Sequence, residues 1–149
     1  MIRMCNIIKE NNEMKLNIVD TIDYECDDII EVMQFIINKF SIDKCVVENS
    51  VVIAGNENQK DYDCLFLGIG NSTECIFEVF VVCQFIMQTN KTIFLNFHNH
   101  PNREKAVPSE KDIDIYNRLC LFANTMHWKL VDCYIVTASE IAGISEFVD

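Results

Sequence analysis

The sequence predicts an α/β domain layered around a largely buried central sheet. Three observations predict it. Segments with apolar residues at helical spacing alternate with short runs rich in Val, Ile, Leu and Phe; half of the 149 residues are hydrophobic; and no internal repeat or low-complexity linker divides the chain. Helices interleaved with strands must hide their apolar sides against one another, and the stable solution is a layered α/β domain. A chain of this length buries a core without covalent staples and makes one domain.

Residues 1–22 are mixed polar and apolar and read as an N-terminal extension or a first strand, ahead of the domain proper at 23–149. Residues 23–40 predict the first helix: acidic residues at its start suit the helix dipole, and Ile29, Met33, Ile36, Ile37 and Phe40 recur at helical spacing. Residues 45–54 and 62–69 predict paired strands joined by the polar turn 55–61. Residues 75–87, entered through Gly70-Asn71-Ser72, are apolar on nearly every side and predict a helix buried all round. After a break at Thr89-Asn90-Lys91, residues 92–98 alternate as a strand, with Ile93, Leu95 and Phe97 opposed to Phe94, Asn96 and His98. Residues 109–127 predict another helix, with Ile113, Tyr116, Leu119, Cys120, Ala123 and Met126 on one face. Residues 129–136 predict a strand and 144–147 a short closing one.

Composition narrows the partners. The net charge of −11, from 12 Lys and Arg against 23 Asp and Glu, repels a phosphate backbone, and no cluster of basic residues reverses it locally. No apolar run reaches the roughly 18–20 residues needed to cross a bilayer. Residues 1–17 lack the apolar core of a signal peptide. The expectation is a soluble, cytoplasmic protein with no membrane partner. The eight cysteines are widely spaced, form no C-x-x-C pair and lie mostly in apolar segments, which reads as buried reduced thiols.

The chemistry concentrates in His98-Asn99-His100-Pro101 and Ser109-x-x-Asp112, since His127 is the only other histidine. Side chains at i and i+2 of a strand share a face, so His98 and His100 point together from a strand end, and Pro101 holds His100 extended. Two neutral imidazoles on one face make half of a catalytic zinc site; the alternative is two histidines hydrogen-bonded at the strand end. Ser109 and Asp112 have the form of a helix capping box. The same carboxylate facing a metal would complete a His-His-Asp set with an open fourth position, and Ser109 would stand beside it to donate to a developing oxyanion. Glu78 is the one carboxylate inside the apolar stretch 76–87. Buried, it needs a partner: a lysine, an exposed helix edge, or a water held by the metal, for which it would be general acid/base.

In this order, Glu78, His98-x-His100 and Ser109-x-x-Asp112 resemble the JAB/JAMM (MPN-like) metalloprotease superfamily, and within it the RadC-like proteins. The resemblance covers roughly residues 23–149 and runs on through Pro108-Ser109, Arg118-Leu119, Val131-Asp132 and Ser145-Glu146. It implies a three-layer α/β/α sandwich with a mixed central sheet, similar to the cytidine-deaminase-like architecture, carrying one zinc ion. By the resemblance His98, His100 and Asp112 are the ligands, Glu78 activates the metal-bound water, with Glu74 as the other candidate, and Ser109 stabilises the oxyanion. The implied activity is a peptidase or isopeptidase acting on a protein or peptide. The alternatives are a non-catalytic binding module on the same fold, or a DNA-repair-associated accessory protein, which the RadC name suggests and the net charge opposes. The chain departs from the family pattern in the loop 101–108, which carries Arg103-Glu104-Lys105 in place of a glycine-containing turn. It departs again at Cys133, where many relatives have histidine.

Overall fold

The computed structural model describes residues 1–69 and 75–149. Its strands are β1 (Ile2–Glu10), β2 (Glu13–Ile22), β3 (Asn49–Gly55), β4 (Tyr62–Ile69), β5 (Ile93–Asn99), β6 (Lys129–Val136) and β7 (Ile141–Gly143). Its helices are α1 (Ile29–Phe40), α2 (Cys75–Thr89) and α3 (Glu110–Met126). Gly70-Asn71-Ser72 and Glu74 lie outside the described residues.

The strands form a seven-stranded sheet in the order β2-β1-β4-β3-β5-β6-β7. It is mixed: β1 runs parallel to β4 and β5 parallel to β6, while the other pairings are antiparallel. One face packs on α1 through Val32, Met33 and Ile36 against Val51, Ile53 and Phe97. The other packs on α2 and α3 through Val82, Phe85 and Leu119 against Val52, Phe94 and Ile135. The result is an α/β/α sandwich of the expected class. β5 sits between β3 and β6 and under helices on both faces, so every residue from Phe94 to Asn99 is buried, hydrophobic or not.

Several boundaries differ from expectation. α1 begins at Ile29, not at residue 23, because Asp28 is extended and its side chain accepts from the Glu31 amide at 2.9 Å, which caps the helix. The strand expected from residue 45 begins at Asn49. α2 is not buried all round, since Phe80 and Met87 are 47% and 43% exposed. The buried face of α3 runs through Ile115, Leu119 and Ala123, which leaves Met126 exposed and Ile113 and Tyr116 partly buried. Residues 144–147 form a 3-10 turn, and the closing strand is β7. The turn is anchored by Asp132, whose carboxylate accepts from the Ser145 amide at 3.2 Å and from the Ser145 hydroxyl. Residues 2–22 form a hairpin whose β1 joins the sheet, and Asn11 and Asn12 turn it with φ of 52° and 63°. That left-handed pair is the type of turn whose twist matches paired strands.

Candidate metal centre

His98, near the end of β5, lies on the same strand face as Phe94, which packs toward α2 and α3. His100 follows just beyond the strand, held in line by its amide donating to the Val136 carbonyl at 2.9 Å. α3 starts opposite them. Ser109 is its N-cap, accepting from the Asp112 amide at 3.1 Å while the Ser109 amide donates to Asp112 Oδ2 at 2.8 Å. The capping box is therefore complete. It is also compatible with a second role, because the Asp112 carboxylate faces both histidines. His98 Nε2 lies 3.2 Å from Oδ1, His100 Nε2 lies 3.1 Å from Oδ2, and the two Nε2 atoms are 3.0 Å apart. His127, the third histidine, ends α3 in a left-handed conformation and has no part here.

These separations suit a cation. Two imidazole nitrogens and a carboxylate oxygen bound to one zinc at 2.0–2.2 Å would stand about 3.3–3.5 Å apart in a tetrahedron. Two ring nitrogens at 3.0 Å need a proton or a metal between their lone pairs, and two nitrogens with one oxygen are the donors that borderline divalent ions such as zinc prefer. His100 Nδ1 is buried and has no hydrogen-bond partner among the described residues. The ring is thus oriented through Nε2, the side on which a metal would sit.

Electrostatics follow the same geometry. Burial works against charge on both partners, but hydrogen bonds from His100 and His98 outweigh it and hold Asp112 well below the usual carboxylate range. Burial likewise disfavours a charged His98, and the Asp112 carboxylate overrides it, raising the imidazole pKa. Glu78 is pushed up by burial, with His98 and Lys111 partly offsetting the rise.

A cavity of about 270 Å³ opens over this cluster, bordered by Glu48, Glu78, His98, His100, Ser109 and Asp112. The five described candidates for metal binding and catalysis, Glu78, His98, His100, Ser109 and Asp112, thus border one cavity. Glu48 was not singled out. Its carboxylate and the two histidines offer atoms that all lie within 4.8 Å of one another. The signal available was weak, a single acid beside the polar Asn49 and Ser50 in the run 45–54, and the fact that matters is a register: Ser50 pairs with His98 across β3 and β5. Asn99 secures that end of the pairing. Its Oδ1 accepts from the Asn49 amide at 2.6 Å and its Nδ2 donates to the Val47 carbonyl at 2.9 Å, one residue on each side of Glu48.

The family model described as RadC-like JAB domain matches residues 26–146, the greater part of the chain. Comparison with curated proteins finds no match.

Proposed function

The chain belongs to the RadC-like JAB domain family, and from that premise we propose that it is a zinc-dependent hydrolase of peptide or isopeptide bonds. The observation that carries the proposal is the convergence of His98 Nε2, His100 Nε2 and the Asp112 carboxylate at 3.0–3.2 Å beside an open cavity. In this reading those three residues hold one zinc ion. When bound, zinc supplies Lewis acidity, polarising a carbonyl and bringing the pKa of water to about 7.

The chain's own residues carry the rest. A carboxylate at the cavity takes the proton of the attacking water and returns it to the leaving amide nitrogen. Two are present. Glu78 has the raised pKa that such a role favours, and Glu48 has the proximity, with an oxygen within 4.8 Å of both histidine nitrogens. Geometry is the first requirement of a general base and pKa the second, so we assign the proton to Glu48 and keep Glu78 as the other candidate. The Ser109 hydroxyl already accepts from the Asp112 amide, so its own proton is left to donate to an oxyanion forming in the cavity.

The test is zinc analysis paired with turnover of a quenched peptide library. One zinc per chain with Glu48→Gln inactive yet fully loaded supports the assignment; loss of activity in Glu78→Gln alone transfers the role. A protein that takes up no zinc under replete conditions refutes the proposal.

A further inference from the structure

Among the described residues Arg103 forms no ion pair, in a chain where acids outnumber bases nearly two to one. It nonetheless borders the cavity over the histidines. The loop that carries it is braced. Asn102 turns the chain at φ 60°, the Thr137 hydroxyl donates to the Glu104 carbonyl at 2.9 Å, and the Ala106 amide donates to Glu140 at 2.5 Å. Ala106 itself is buried. Arg103 therefore projects from a fixed loop, and a ligand meeting it would not have to order the backbone first.

The other cation at the cavity, Lys111, acts on Glu78. Arg103 has no such acid to neutralise, and its planar fork matches a carboxylate with two parallel hydrogen bonds. We infer that Arg103 is a specificity residue that receives a substrate carboxylate close to the bond being cleaved. The inference rests on the hydrolase reading above. It deepens that reading by naming the substrate class: peptides ending in, or carrying, a carboxylate next to the scissile amide. The shared cavity sets "next to", because Arg103 borders the same cavity as His98, His100 and Asp112. A nucleic-acid phosphate is the disfavoured source of the anion. One arginine among Glu48, Glu78 and Asp112 cannot offset the repulsion of a chain carrying −11 for a polyanion.

The experiment is calorimetric titration of three probes, acetyl-trialanine, its C-terminal amide, and the amide with a central glutamate. The proteins are wild type, Arg103→Gln and His100→Ala, each with its zinc content measured. Arg103 is exposed, so its replacement does not threaten folding. The expected result is a preference of about fivefold for an acid over the neutral amide. It disappears in Arg103→Gln with zinc unchanged and persists in zinc-depleted His100→Ala. The acid that shows it, terminal or side chain, identifies the source. A preference that survives Arg103→Gln places the carboxylate elsewhere and overturns the inference, as does equal or unmeasurable binding of the probes. Arg103-dependent binding of an oligothymidylate tighter than either acid overturns it in favour of phosphate. Absence of zinc from the wild type counts against the hydrolase reading alone, since the Arg103-dependent preference is read with or without metal.

Discussion

Asn99 and Asn49 are joined by a 2.6 Å hydrogen bond from the Asn49 amide to the Asn99 side chain, which also holds the Val47 carbonyl at 2.9 Å. The residue between the two histidines thus fixes the backbone on both sides of Glu48. Asn99 is 1% exposed, so removing its amide leaves buried backbone groups unsatisfied, at a cost of about 1–3 kcal/mol. Asn99→Ala is expected to keep His98, His100 and Asp112 able to load zinc while lowering kcat by about 10–100-fold, the usual effect of losing such outer support. Zinc stoichiometry measured beside kcat checks it; loss of zinc with kcat unchanged per loaded site would count against this role.

Asp112 is the group on which both imidazoles converge, and it also receives the Ser109 amide. Asp112→Ala is expected to remove zinc binding and with it the stabilisation that zinc confers. With zinc at 100 times its Kd, that stabilisation is about 2.7 kcal/mol, or roughly 5–10 °C in Tm for a domain of this size. Differential scanning fluorimetry with and without zinc should show the shift in the wild type and none in the variant.

What was legible beforehand followed distance along the chain. His98 and His100 share a strand face and Ser109 and Asp112 share a helical turn, so each pair is fixed by local geometry. The Asn11-Asn12 hairpin turn is equally local, yet the mixed polarity of residues 1–22 obscured it. Glu48 is different. It reaches the histidines only because β3 pairs with β5 in the register that sets Ser50 against His98, and that pairing spans nearly fifty residues. The 3-10 turn at 144–147 depends in the same way on Asp132, from another strand. Periodicity reports which face is buried, not which distant backbone lies alongside.

The metal-free protein should be most stable in mildly acidic solution. The Asp112 pKa is lowered by folding, so its contribution is present above the ordinary value of 3.8 and is lost as pH falls toward the folded one. The His98 pKa is raised by folding, so its contribution is complete below 6.5 and is lost as pH rises through the folded value. Between about pH 4 and 6.5 both hold. Zinc needs the imidazoles deprotonated and so binds better as pH rises. The Tm gain from zinc is therefore expected to grow between pH 5.5 and 8, while the metal-free Tm falls. Melting curves across that range with chelator or zinc decide it, and a zinc gain that shrinks with pH would refute it.

Gln88 covers part of the sheet's edge. From α2 its side chain accepts from the Leu16 amide and donates to the Met14 carbonyl, both at 2.5 Å, and so stands where another strand would pair with β2. The primary amide reproduces the donor and acceptor of a peptide unit, which glutamate cannot do, having two acceptors and no donor when ionised. Gln88→Glu is expected to break the contact with Met14 and Gln88→Ala both contacts, each lowering stability by about 1–2 kcal/mol. The loss should fall on the hairpin and not on the candidate metal site, which lies on β5 and α3 across the sheet. Hydrogen exchange should therefore quicken at Leu16 in Gln88→Ala, which loses the acceptor, and much less in Gln88→Glu, which keeps it, with zinc affinity unchanged in both. Equal exchange at Leu16 in wild type and Gln88→Ala would show that the edge is protected by something other than this side chain.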